Sequence, residues 1–133
     1  PILSLAVLDS ALDVFEDITI TDINRKANAL AELFLDLVTN DKDLHCLALE
    51  SKADSALRGT QLAFSHADAY AISRALNKAR VVVDFRSPDI IRFGFSPLFL
   101  RFEDIWRATQ IIKEIVKEKT YLADEFSQKL KVT

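Results

Sequence analysis

Arg92 is the residue whose setting most demands a chemical explanation. It stands between Ile91 and Phe93 in an otherwise apolar run, Ile90-Ile91-Arg92-Phe93-Gly94-Phe95. A guanidinium cannot shed its charge at ordinary pH, so among aliphatic neighbours it needs an anion. Two anions would serve. One is a carboxylate of the chain itself; the other is a ligand carboxylate gripped by the planar fork through parallel hydrogen bonds. The residues alone leave both open. Gly94, two positions on, lets another group approach the backbone closely.

Other chemistries are excluded by type or spacing. The chain has two glycines, Gly59 and Gly94, too far apart for a phosphate-cradling loop or a dinucleotide fingerprint. His45, Cys46 and His66 lack metal-site spacing, and no fourth ligand is evident, so no metal is expected. Cys46 lies in an apolar run and reads as a core residue rather than a nucleophile. No serine sits in a nucleophile elbow. The acidic pairs Glu16-Asp17 and Glu103-Asp104 fall at helix ends and read as solvated, the second complementing a helix dipole.

The elements that must position Arg92 follow from periodicity. Residues 2–18 read as a helix with an apolar stripe at Leu5, Leu8, Leu12 and Phe15. Its start lacks a cap and the chain has no Met, as expected of a piece entered from upstream sequence. Thr19 to Asp22 carries capping chemistry for a second helix, 22–38, burying Ile23, Ala27, Leu30, Phe34 and Leu37, with Arg25, Lys26, Glu32 and Asp36 facing out. Residues 39–43 form a polar loop, and 44–49 and 60–64 read as short strands. A helix over 67–78 follows, capped by Ser65 and burying Tyr70, Ala71, Ala75 and Leu76. The valine run makes 81–85 the clearest strand, 86–89 a turn and 90–95 its return strand. A last helix, 102–119, presents Ile105, Thr109, Ile112 and Val116 inward, with Glu114 and Lys117 as an i,i+3 pair. The tail over 121–133 is a short helix or frays. The pattern predicts an α+β fold, helices packed on one face of a small, mainly antiparallel sheet.

Composition agrees. The 133 residues are 50% hydrophobic and 28% charged, enough for one domain with its own core and unlike a disordered chain. Seventeen basic against twenty acidic residues leave a net charge of −3, with no basic excess for nucleic acid or an anionic membrane. No run reaches the roughly 18–20 apolar residues of a membrane span, and no signal peptide opens the chain. The single cysteine excludes an internal disulfide and fits a reducing, cytoplasmic setting.

Several blocks resemble one family. Asp84-Phe85-Arg86-Ser87-Pro88-Asp89, then Ile91-Arg92-Phe93-Gly94-Phe95-Ser96-Pro97-Leu98, are similar to the C-terminal segment of the kynureninases. These are pyridoxal-phosphate enzymes of the fold type I, class V aminotransferase-like superfamily. Arg101-Phe102, Asp104-Ile105-Trp106, Arg58-Gly59-Thr60-Gln61 and the opening Pro1-Ile2-Leu3 continue the resemblance, which covers nearly the whole chain. Phe99 departs from it, standing where the family usually has Tyr, so a hydroxyl role there is lost; Leu100 replaces a commonly polar residue.

The resemblance implies that residues 1–133 are the small domain of such an enzyme. Arg92 would grip the substrate's α-carboxylate, orienting the bond to be broken. The family reaction is hydrolysis of L-kynurenine, or its 3-hydroxy form, to an anthranilate and L-alanine, with pyridoxal 5'-phosphate as electron sink. The Schiff-base lysine and phosphate cradle belong to a large domain, expected upstream. No catalytic or cofactor-binding residue is therefore expected in this chain, which alone should be inactive, and the resemblance implies a homodimer for the full-length enzyme. Lys26, Lys113, Lys117 and Lys119 read as exposed helix positions and Lys78 as a helix end. Arg58, Gln61 and Arg86 match the family and read as turn and inter-domain contacts. Two alternatives stay open: another class V enzyme, such as a cysteine desulfurase or aminotransferase, and a stand-alone non-catalytic interaction domain.

Overall fold

The 3.6-residue and two-residue periodicities resolve into helices on one side of a sheet. The computed structural model describes residues 1–127. The order is α1 (Ile2–Leu12), α2 (Ile20–Thr39), β1 (Ala48–Leu49), β2 (Leu62–Ser65), α3 (Ala69–Lys78), β3 (Asp84–Arg86), β4 (Ile90–Phe93), α4 (Phe102–Glu118) and α5 (Asp124–Ser127). Single 3-10 turns lie at Asp13–Phe15, Lys42–Leu44, Ser55–Leu57 and Thr120–Leu122. The expected tail helix is α5 preceded by the last of these turns; residues 128–133 of that expectation lie outside the described residues.

All strand pairs are antiparallel, in the order β1-β2-β4-β3. Leu62 faces Phe93 and Phe64 faces Ile91 across the central pair. Strand alternation sends these four to the face packed by α2, α3 and α4, and sends Ala63, Ser65, Ile90 and Arg92 to the other, half-buried face. The fold is α+β, as expected. Phe34 of α2 anchors the core, its ring 4.7 Å from Phe93, 5.4 Å from Phe95 and 6.1 Å from Phe64.

Thr19 caps α2 by accepting a hydrogen bond from the Asp22 amide at 3.1 Å. The buried stripe of α2 is Ala27, Leu30, Ala31, Phe34 and Val38, shifted slightly around the helix from the expected one, so Ile23 and Leu37 are only half-buried. On α3 the buried residues are Ala69, Ile72, Ser73, Ala75 and Leu76; Tyr70 and Ala71 lie at the stripe's edge. Ser65 does not cap α3. It ends β2 and donates to Glu50 at 2.6 Å, while His66 Nδ1 accepts from the Asp68 amide at 2.9 Å.

α4 buries all four expected residues, with Ile115 beside them. Lys117 does not pair with Glu114 but lies 3.4 Å from Asp43, and Lys113 reaches Asp41 at 2.8 Å, tying α4 to the Lys42–Leu44 turn. At the N-terminus of α4 the Asp104 carboxylate accepts from the Arg101 amide at 2.8 Å and from its guanidinium at 2.9 and 3.1 Å. Those bonds lower the Asp104 pKa to about 2. A depressed carboxylate pKa stabilises the fold above the unfolded value near 3.8 and loses that contribution as pH falls through about 2. The Asp104 carboxyl carbon, followed by NMR, should titrate near pH 2; a midpoint near 3.8 would mean that the cap is not formed in solution.

Four further expectations are corrected. The 44–49 strand reduces to β1, because Leu44 and Leu47 are buried three apart, a helical-turn spacing, after Asp41 caps the turn by accepting from the Asp43 amide at 3.0 Å. Cys46 is consequently exposed and not a core residue. The valine run is not the strand: the Val81 amide donates to the Leu76 carbonyl at 2.9 Å, and the Asn77 side chain bonds both backbone groups of Val83. These bonds hold residues 81–83 against the end of α3, leave Val82 exposed, and delay β3 to Asp84. Finally, α1 ends at Leu12, and its stripe is exposed, Leu5 at 63% and Leu8 at 54%. The helix is apolar nearly all round, so its sequence singles out no buried face, and none of its residues is buried.

Candidate functional site

A hairpin brings Arg92 to a carboxylate. β3 and β4 pair around the turn at residues 87–89, which contains a cis Ser87–Pro88 bond, and set Arg86 opposite Ile90 and Asp84 opposite Arg92. On its other side Arg92 faces Ala63 of β2, a small neighbour that leaves room above the sheet. Asp84 and Arg86 are two apart on β3, so they share the face of Arg92.

Arg92 Nε donates to Asp84 Oδ2 at 2.8 Å, and its Nη2 donates to the same oxygen. Arg86 Nε donates there too, at 3.0 Å. One carboxylate oxygen thus takes three donors from two guanidinium groups. Arg92's hydrogen bonds, with Arg86's charge in support, hold the Asp84 carboxyl below the usual carboxylate range. Two cations against one anion leave the cluster with a surplus charge of one.

The geometry uses only one edge of the Arg92 fork. The Nε–Nη2 edge is taken by Asp84; among the described residues, Nη1 and the second hydrogen of Nη2 meet no acceptor. The side chain is 30% exposed, so that terminal edge is reachable from the half-buried face. A planar carboxylate fits it through two parallel charge-assisted hydrogen bonds. The chain's own carboxylate and a ligand's can therefore be held at once, on different edges.

Asp84 is the site residue that sequence reasoning missed as a partner. Its signal was present: Asp84 and Arg92 lie equidistant from Pro88, so a symmetric hairpin places them face to face.

The other matched residues do not join the cluster, except Arg86. Arg58 folds inward, its side chain 5% exposed, donating to the Gly59 carbonyl at 3.0 Å and to Glu32 at 3.1 Å. Its buried Nε has no partner among the described residues. Gln61 is exposed just before β2. Lys26 and Lys113 are half-buried rather than exposed, and Lys26 donates to the Pro97 carbonyl at 2.6 Å. Lys78 pairs with Glu125 at 2.7 Å, and Lys119, exposed at the end of α4, adopts a left-handed conformation. Gly59 and Gly94 are exposed on separate segments. Among the described residues, no group of His, Cys, Asp or Glu is arranged to hold a metal, and no helix is long and apolar enough to cross a membrane.

Residues 23–112 match the family model for the kynureninase C-terminal domain, a span that includes most of α2, the whole sheet and most of α4. All 133 residues align with the kynureninase of Pseudomonas fluorescens at 39% identity, covering 32% of that protein. They align at 35% with the kynureninases of Burkholderia mallei (strain SAVP1) and Burkholderia pseudomallei (strain K96243), again covering 32% of each. The chain spans about a third of the length of these relatives. By the extent of the family match, this chain belongs to the kynureninase C-terminal domain family.

Proposed function

We propose that this chain is the small domain of a pyridoxal-phosphate-dependent kynureninase and that Arg92 binds the α-carboxylate of its substrate. The observation that carries the reading is the open terminal edge of Arg92, half-buried beside a cluster with one surplus positive charge. The substrate is L-kynurenine or its 3-hydroxy form. Hydrolysis breaks the bond between the side-chain methylene and the aryl carbonyl carbon. The oxygen of water goes to the carbonyl carbon, giving anthranilate or 3-hydroxyanthranilate, and a proton goes to the methylene, giving L-alanine.

Among the described residues, Lys26, Lys78 and Lys113 are engaged by a carbonyl or carboxylates, and the two glycines lie on separate segments. In this proposal a large domain outside the present sequence holds the cofactor, which when bound supplies the electron sink. This domain supplies the carboxylate grip, which fixes how the amino acid lies in the site. The apolar, exposed surface of α1 supports a setting in which further protein covers it, either the large domain or the second subunit of a homodimer. The exposed thiol of Cys46 suits a reducing, cytoplasmic compartment.

The test is turnover by the full-length protein. L-Kynurenine should yield a fluorescent anthranilate and L-alanine, and the 133 residues alone should yield neither. A full-length protein inert to kynurenine that releases sulfur from L-cysteine would be a desulfurase and would overturn the reading.

A further inference from the structure

We propose that Asp84 is the positioning residue of the carboxylate grip: it holds the Nε–Nη2 edge of Arg92 so that the terminal Nη1–Nη2 edge stands ready for the ligand. This rests on the reading of Arg92 above.

An arginine side chain has many rotamers, and a ligand that must first order it loses affinity to that ordering. Here the ordering is done before the ligand arrives. The guanidinium plane is fixed by two donors converging on one Asp84 oxygen. Asp84 is in turn fixed by the β3–β4 register and by the Arg86 contact at 3.0 Å. Charge is set by the same residue. With Asp84 ionised, the three side chains carry one net positive charge, matched by one carboxylate. Arg86 donates from the side, keeping Asp84 from neutralising Arg92 completely.

The experiment uses the full-length enzyme, with KM for L-kynurenine, the inhibition constant of L-alanine (the product that keeps the α-carboxylate) and the melting temperature as readouts. Asp84→Asn keeps the shape, removes the charge and substitutes a weaker acceptor. It should raise KM and the L-alanine constant together by about tenfold or more, while kcat changes by less than about threefold. Asp84→Glu restores the charge and should recover most of the loss, which also keeps the test decisive should the Asn variant fold poorly.

Two results would overturn the inference. A lower melting temperature with KM unchanged makes Asp84 a structural partner only. A lower KM means that Asp84 merely screened the positive charge. Arg92→Ala in the same assay separates the two levels: if it leaves KM unchanged, the carboxylate reading of Arg92 fails; if it raises KM while Asp84→Asn does not, only the positioning role fails.

Discussion

Replacing Arg92 by alanine in the full-length enzyme should lower kcat/KM for L-kynurenine by roughly 30- to 4,000-fold. Truncating one partner of a hydrogen-bonded charge pair costs roughly 2–5 kcal/mol, and every 1.4 kcal/mol is a factor of ten. Arg92→Ala removes both donors of the terminal edge, and it also leaves Asp84 with Arg86 as its remaining guanidinium partner. Arg92→Lys should recover little. A lysine carries one compact ammonium on a flexible stem, so it cannot hold Asp84 on one side and present two parallel donors on the other. Steady-state kinetics on both variants, with the melting temperature measured alongside, give the answer. Wild-type kinetics for Arg92→Ala would leave Arg92 and Asp84 as a structural pair, the other partner that the sequence left open.

The second large effect is on stability. Phe34 is 2% exposed and packs against Phe64, Phe93 and Phe95 at ring separations of 6.1, 4.7 and 5.4 Å. Phe34→Ala removes a ring that joins α2 to both central strands, and the surrounding backbone can close the void only in part. Such truncations cost about 3–5 kcal/mol, against about 5–15 kcal/mol for a whole domain. The urea midpoint should fall steeply with the slope of the transition unchanged, or the protein should fail to accumulate folded. A loss below about 1 kcal/mol would mean that the aromatic cluster is not the centre of the core. The site would suffer as well, since Phe93 follows Arg92 on β4 and anchors the strand's buried face.

The helices with a genuine apolar stripe were legible from spacing. α4 buries Ile105, Thr109, Ile112 and Val116 as the period predicts, because one face of that helix is charged and the other is not. α1 shows the converse: Ile2, Leu3, Leu5, Val7 and Leu8 surround it, and a period cannot point to a face where every face is apolar. Strand propensity misled at residues 81–83. There the side chain of Asn77 and the end of α3 take the backbone bonds that a sheet would have used, a tertiary preference no local window contains. Within the site, the need of Arg92 for an anion was readable from its neighbours. That a carboxylate of the chain occupies only one edge of the fork, leaving the other open, depends on hairpin register and rotamer.

The turn at residues 87–89 carries a constraint of an evolutionary kind. Exposed turns ordinarily absorb insertions and deletions with little consequence. This one sets the count that places Asp84 opposite Arg92. One residue gained or lost slides β3 by a single step against β4 and turns Asp84 and Arg86 toward the core face, where Phe85 now packs against Tyr70. Within a lineage, a change in the length of this loop would therefore break the pairing of Asp84 with Arg92, whatever residues the loop carries.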